Sequence, residues 1–188
     1  SSNCSERAEA LNNYFASVFT HEPNVDTEHV KPRVNTSILA NIAITEDQVL
    51  KALLRIDISK SPGPDNIHPR VLKEAAVEFS GMLCNVFNTS LKCGKLPNEW
   101  KNADITALPK KGDKRLPENY RPISLTSIVC KLMESIIRDN IIQHLKTNNI
   151  LTHKQFGFLK GKSTTLQLLK VLDDWSKILD SGDVLDII

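Results

Sequence analysis

The 188-residue sequence has little of several features that define common protein classes. Aromatic residues make up only 5%, so aliphatic side chains must fill the core, and a large aromatic RNA-binding sheet is not expected. The four cysteines form no CxxC pair and the five histidines no HExxH or close Cys/His pair, so no metal site is predicted. No apolar run approaches the roughly 20 residues of a membrane span, and no secretory leader is seen. We therefore expect an intracellular protein with reduced thiols and no membrane partner.

The formal net charge of +2 hides an uneven distribution. Residues 1–60 carry six Lys and Arg against eight Asp and Glu, residues 61–172 carry seventeen against nine, and residues 173–188 carry one against five. The middle of the chain is therefore +8 between two acidic ends. Such a basic stretch is typical of a phosphate-binding surface and equally of a solvated face, and charge alone leaves both interpretations open.

Helical periodicity dominates the first hundred residues. The apolar positions predict four helices, over residues 6–19, from residue 46, over residues 69–79, and from residue 83 until Gly94 stops the last one. Thr45 and Gln48 form a capping box ahead of the second helix, and residues 21–36 have the composition of a loose polar linker.

After residue 100 the pattern changes to extended segments around a basic turn. We predict a short strand over residues 103–109, a tight turn over residues 110–115, and an extended segment over residues 119–126 that Pro122 breaks. A long helix over residues 127–146, a helix capped by Ser163 and ended by residues 181–183, and a buried strand over residues 184–188 follow. The predicted fold class is α+β and helix-rich.

Two basic segments are candidates for phosphate chemistry. Gly157 to Ser163 is similar to a P-loop, but three residues instead of four separate its glycines, so the amide nest does not close and a nucleoside triphosphatase is not predicted. That segment is either a flexible basic connector or a loop whose glycines let a phosphate chain approach the backbone. The turn at residues 109–115, with Arg121 as a bidentate fork, is either a solvated turn or a grip for a polyphosphate.

Five sequence blocks then occur in order. They are Ser61-Pro-Gly-Pro-Asp-Asn-Ile-His-Pro69, Leu96-Pro-Asn-Glu-Trp-Lys101, Leu108-Pro-Lys-Lys-Gly-Asp113, Asn119-Tyr-Arg-Pro-Ile-Ser-Leu-Thr126 and Gln155-Phe-Gly-Phe-Leu-Lys-Gly-Lys-Ser-Thr164. In this order the blocks strongly resemble the amino-terminal half of reverse transcriptases from non-LTR (LINE-type) retrotransposons. The resemblance covers residues 45–188, and residues 12–19 look like the segment that such proteins place between endonuclease and polymerase parts.

The resemblance implies a right-hand polymerase, of which this chain holds the fingers and the first edge of the palm. Residues 1–44 are then a helical lead-in and polar linker, and residues 45–188 a partial reverse transcriptase domain that ends before the first catalytic palm aspartate. In the complete polymerase, palm carboxylates bind two Mg²⁺ ions and transfer a deoxynucleotide from its triphosphate to a DNA primer on an RNA template. The chain alone is therefore expected to be inactive.

The resemblance also implies binding residues. It assigns nucleotide binding to Lys110, Lys111 and Arg121. It assigns nucleic-acid contacts to an upstream loop with Pro62, Gly63, Asp65 and Asn66, and to a template-side block with Gln155, Gly157, Phe158, Lys160, Lys162 and Ser163. Many relatives have Arg where this chain has Leu159 and Lys162, a change that weakens bidentate phosphate contacts but keeps one charge.

No catalytic or metal-ligating residue is expected in the chain. Asp173 and Asp174 are adjacent on one helix, so their side chains diverge by about 100° instead of converging on a metal, and a solvated face explains them better. Two other readings of the whole chain stay open: a nucleic-acid- or partner-binding module derived from the polymerase domain, and a remnant without function.

Overall fold

The structure is a computed structural model that describes residues 3–20, 38–39 and 41–186. It forms two compact units, Ser1–Ile141 and Ile142–Ile188. The described helices are α1 (Cys4–Ser17), α2 (Glu46–Leu54), α3 (Pro69–Glu74), α4 (Ala76–Cys93), α5 (Ile128–Thr147) and α6 (Thr164–Asp180). The strands are β1 (Ala103–Pro109) and β2 (Tyr120–Thr126). The fold is therefore helix-rich and α+β, as predicted.

Helix starts and stops follow local capping signals. At the start of α2 the Gln48 amide donates to the Thr45 hydroxyl at 3.3 Å, and the Thr45 amide donates to the Gln48 side chain at 3.0 Å. Gly94 ends α4 in the left-handed conformation with φ 62°. Both predictions are confirmed, whereas the polar linker predicted over residues 21–36 lies outside the described residues.

The break between α3 and α4 lies at Ala75, so the predicted break between Phe79 and Leu83 is wrong. Ala75 leaves the helical region with φ −100° and ψ 34°, while residues 76–93 form one uninterrupted helix. Ala75 still donates its amide to the Val71 carbonyl and accepts from the Phe79 amide, so both helices keep their terminal hydrogen bonds. Because no glycine or proline is needed for such a shared residue, the sequence carries no signal for it.

The core of the first unit lies between α2, α4 and the first half of α5. Its buried apolar residues are Ile44, Val49, Leu53, Ile56, Leu72, Ala76, Phe87, Ile128, Val129, Leu132, Met133 and Ile136. Phe87 is completely buried and meets the Trp100 ring edge-on, with 5.8 Å between the ring centroids. Asn88 joins the segment before α2 to α4, because its side chain accepts from the Ile44 amide at 2.9 Å and donates to the Ile44 carbonyl at 2.8 Å.

Strands β1 and β2 form an antiparallel hairpin whose register places Ala107 opposite Pro122. Pro122 does not break β2, so that expectation is wrong. Lys110 donates its backbone amide to the Asn119 carbonyl, so these two residues form a hydrogen-bonded pair. Along an antiparallel ladder such pairs alternate with open pairs, in which the two residues exchange no hydrogen bond. Ala107 and Pro122 therefore form an open pair, at which the missing proline N–H faces away from β1 and costs no ladder bond.

In the second unit, α6 begins as the sequence predicts, because the Ser163 hydroxyl accepts from the Leu166 amide at 3.1 Å. The buried strand predicted over residues 184–188 is not observed at Val184–Asp186, and Ile187 and Ile188 lie outside the described residues. A strand needs a neighbour for its backbone hydrogen bonds, and no described segment pairs with Val184–Asp186.

Candidate nucleic-acid interface

The loop over residues 62–66 lies against the base of the hairpin. Gly63 is buried, and a Cβ atom there would fall 2.6 Å from the Ser127 amide nitrogen, at the junction of β2 and α5. Asn66 closes the turn by donating its backbone amide to the Gly63 carbonyl at 3.0 Å, and its side chain is exposed. Pro62 and Asp65 are half-buried. Of the four residues predicted in this loop, Asn66 is therefore the most accessible and Gly63 the most tightly packed.

The tip of the hairpin is held by hydrogen bonds within the loop. Lys110 donates its ammonium to the Glu118 carbonyl at 3.1 Å, and Asn119 donates its side-chain amide to the Asp113 carbonyl at 3.0 Å. The Tyr120 hydroxyl donates to the loop carbonyl of residue 114 at 2.9 Å. These bonds join the two sides of the loop, which reduces the ordering that ligand binding requires.

The only carboxylate in the turn at residues 110–115 is paired. Asp113 accepts from the Arg115 guanidinium at 2.8 Å, and these hydrogen bonds hold the pKa of the Asp113 carboxyl below its usual range. The other cations of the turn are exposed, and among the described residues none of Lys110, Lys111 and Lys114 forms an ion pair. The turn therefore presents uncompensated positive charge to solvent.

The strand register brings two of the predicted cations together. Arg121 is opposite Leu108, and Lys110 follows Leu108 by two residues, so Arg121 and Lys110 lie on the same face of the hairpin. This face also carries Ile123, and Leu108, Arg121 and Ile123 are all exposed. Lys111 lies at the turn itself and is exposed as well. The arrangement can contact an anion with two or three cations and an apolar group with the aliphatic side chains between them.

The opposite face of the hairpin lies across a groove from α1, a placement that the sequence did not predict. A groove of about 970 Å³ lies between them, lined by Leu11 and Phe15 of α1 and by Ile105, Ala107 and Pro122 of the strands. The apolar spacing in α1 was the available signal, but it does not say what the helix packs against. Among the residues of the first unit that the structure describes, Arg121 and Lys110 therefore lie on the face away from α1, and both are exposed.

The block over residues 155–163 belongs to the second unit. The Gln155 side chain donates to the Gly157 carbonyl at 3.0 Å, and the Lys162 ammonium lies 4.6 Å from the centre of the Phe156 ring. The Ser163 hydroxyl is used as the α6 cap, so it accepts from the protein itself. The remaining predicted residues, Gly157, Phe158 and Lys160, are exposed. This block thus combines exposed cations with an exposed aromatic ring.

Asp173 and Asp174 are not arranged as a metal site. Asp173 accepts from the Lys177 ammonium at 2.6 Å, which lowers the pKa of its carboxyl, and Asp174 accepts from Lys170 at 2.5 Å. In the part of the chain that the structure describes, no group of three or more His, Cys, Asp or Glu side chains is placed to hold a metal ion. The described helices also include none with the length and apolar character of a membrane span.

Comparison with known proteins finds relatives among mobile-element polymerases. The chain is 31% identical over 183 residues to a "Probable RNA-directed DNA polymerase from transposon BS" of Drosophila melanogaster, an alignment that covers 90% of this chain and 20% of that protein. It is 37% identical over 117 residues to a "Retrovirus-related Pol polyprotein from type-2 retrotransposable element R2DM" of the same species, covering 62% of this chain and 10% of that protein. The "RNA-directed DNA polymerase from mobile element jockey", also from that species, is 30% identical over 135 residues, covering 70% of this chain and 14% of that protein.

The chain spans about a fifth or less of the length of these relatives. No family model matches the sequence.

Proposed function

The chain is a relative of the reverse transcriptases of non-LTR retrotransposons, as its five sequence blocks predict, and we propose that it forms the fingers of such a polymerase. In this proposal residues 45–188 grip the incoming deoxynucleoside triphosphate and the template, and residues 1–44 are a lead-in that contributes α1. The observation that carries the proposal is the placement of exposed Lys110 and Arg121 on one face of the hairpin, where neither forms an ion pair with a carboxylate of the described residues.

The chemistry of that face suits a triphosphate. A guanidinium binds phosphate oxygens with two parallel hydrogen bonds, and a lysine ammonium adds a compact charge with rotatable donors. The exposed Leu108 and Ile123 beside Arg121 offer an apolar surface to the sugar and base. Lys110 is already held by the Glu118 carbonyl, which keeps its charge at a fixed position, and Lys111 is exposed at the turn, where its side chain can reach a ligand.

The two loops predicted to contact the template have different roles in this proposal. Asn66 offers an exposed amide beside the hairpin base, and buried Gly63 sets the position of that base, so Pro62, Gly63 and Asp65 act through packing. Gln155, Gly157, Phe158, Lys160, Lys162 and Ser163 form the template-side block, in which Lys160 and Lys162 neutralise backbone phosphates. The partners are an RNA template and a DNA primer.

The carboxylates of the described residues do not fit the Mg²⁺ pair of a complete polymerase. Two-metal phosphoryl transfer needs carboxylates that converge on both ions, whereas Asp173 and Asp174 are each paired with a lysine on α6. We therefore assign no catalytic step to this chain, and we expect no nucleotide incorporation from it in the absence of a palm. Incorporation of a single deoxynucleotide by the purified chain on a primed RNA template would refute this part of the proposal.

The nucleotide grip is tested by calorimetric titration of the chain with a deoxynucleoside triphosphate. We expect the double variant Lys111→Ala/Arg121→Ala to bind about tenfold more weakly, because it loses charge-assisted hydrogen bonds. The double variant Lys92→Ala/Lys95→Ala removes the same charge from exposed lysines elsewhere and is expected to bind normally. Arg121→Lys keeps the charge but loses the fork, so its affinity is expected to lie between the two.

Equal weakening in both double variants would mean that net charge alone drives the binding and would contradict a specific grip.

A salt series with an RNA template annealed to a DNA primer separates the binding-module hypothesis from the fingers hypothesis. A pure binding module binds the duplex with a strong salt dependence and does not discriminate a triphosphate from a monophosphate. The fingers proposal expects the triphosphate to bind more tightly than the monophosphate, and loss of that difference in the Lys111→Ala/Arg121→Ala variant.

A further inference from the structure

Phe158 adopts a backbone conformation that large side chains rarely take. Its φ is 61°, in the left-handed region, where the Cβ atom of an L-residue crowds the following carbonyl. Among the described residues, the other non-glycine positions with positive φ are Asn66 and Asn149, and asparagine tolerates this region well. Phe158 is therefore the one residue among these three whose type does not suit its backbone.

Hydrogen bonds hold the loop on both sides of Phe158, while its side chain is exposed. The Gln155 side chain holds the Gly157 carbonyl, and the Lys162 amide donates to the Leu159 carbonyl at 3.1 Å, so both sides of Phe158 are fixed. The Phe158 ring nevertheless has a relative exposure of 107%, so it is fully open to solvent. A strained backbone that presents an unpacked aromatic ring has no stabilising role in this unit.

The neighbours of Phe158 indicate the chemistry of a ligand. Lys160 is exposed two residues away, and Lys162 lies over the Phe156 ring within the same loop. A flat apolar surface between cations matches a nucleotide, whose base presents a π face and whose phosphate presents negative charge. No Asp or Glu occurs in residues 140–172, so the whole block is free of competing acidic groups.

We propose that Phe158 is a stacking platform for one unpaired base of a nucleic-acid strand, with Lys160 and Lys162 on the phosphates beside it. The proposal rests on the proposed function, which places this block along the template, and adds the group that contacts the base. Stacking is tolerant of base identity, so the site holds any unpaired nucleotide and does not read sequence.

The test uses the full 188-residue chain and a single-stranded oligouridylate of about ten nucleotides, with affinity measured by fluorescence anisotropy. Phe158→Gly and Phe158→Asn both suit the left-handed backbone better than phenylalanine, yet we expect both to bind about tenfold more weakly. Phe158→Trp keeps a stacking surface and is expected to bind at least as tightly as the parent chain. Thermal unfolding is expected to show Phe158→Gly and Phe158→Asn no less stable than the parent, because each relieves strain.

A strand that carries abasic sites separates stacking from charge. With that strand we expect Phe158→Asn to bind as the parent does, while Lys160→Ala still weakens binding and lowers the salt dependence. If Phe158→Gly and Phe158→Asn bind the oligouridylate as tightly as the parent, with the salt dependence intact, the stacking role is refuted and the proposed function stands. If the parent shows no salt-dependent binding at all, the template-side role of the block fails as well.

Discussion

Gly63 offers the sharpest test of how the loop over residues 62–66 supports the hairpin. A methyl group at this position would fall 2.6 Å from the Ser127 amide nitrogen, 2.6 Å from the Thr126 carbonyl carbon and 2.7 Å from its oxygen. These neighbours are backbone atoms at the point where β2 passes into α5, and Ser127 is completely buried, so none can rotate away. Forcing extra volume into a packed site costs about 1–3 kcal/mol, and we expect Gly63→Ala to lose stability in that range.

Gly81→Ala is the matched control, because it adds the same methyl group in the interior of α4. There the nearest heavy atom is the Glu46 Oε1 at 3.4 Å, an ordinary van der Waals separation, and alanine is the better helix former by about 1 kcal/mol. Chemical denaturation followed by circular dichroism measures both variants. We expect a lower free energy of unfolding for Gly63→Ala and an equal or higher one for Gly81→Ala. Unchanged stability in Gly63→Ala would show that the loop does not pack on the hairpin base as described.

Asn88→Ala is expected to lower the free energy of unfolding by about 2 kcal/mol in the same assay, because it leaves the amide of buried Ile44 without its partner and leaves the Ile44 carbonyl to the weak Cys84 thiol donor at 3.3 Å. Burial raises the pKa of the Cys130 thiol to about 11, so at about pH 8 a thiol reagent is expected to modify exposed Cys4 and Cys93 while Cys130 reacts only after unfolding. Since the unfolded thiol ionises near 9, the stabilisation that Cys130 contributes is expected to decline as the pH rises from about 9 to about 11, and thermal unfolding of Cys130→Ala should lack this decline.

Local signals account for the parts of the fold that the sequence predicts well. The Thr45 capping box, the Ser163 cap and the Gly94 stop each depend on one side chain or one backbone conformation, and all three are observed. The shared residue Ala75 has no such signal, because alanine is a good helix former. The strand predicted over residues 184–188 is not observed at Val184–Asp186 for a different reason, since an apolar run does not reveal whether a pairing partner exists.

The candidate site required more than the sequence blocks contain. The blocks identify Lys110 and Arg121 by resemblance, but only the register of β1 against β2 puts both on one face. Gly63 looks like a loop residue in sequence, and its contact with the β2–α5 junction is a property of tertiary packing. The strained conformation of Phe158 is likewise invisible in the sequence, where phenylalanine gives no sign of a positive φ.

The prolines of the hairpin also bear on how the protein behaves at high concentration. A two-stranded sheet leaves the outer edge of each strand unpaired, and such edges recruit strands from other molecules. Pro109 and Pro122 both occupy open pairs, so each strand lacks one outward N–H where an incoming strand would require a donor. Pro122 therefore leaves the hairpin ladder intact and also discourages edge-to-edge aggregation. Replacing Pro122 with a β-branched residue would restore the outward N–H and remove that protection.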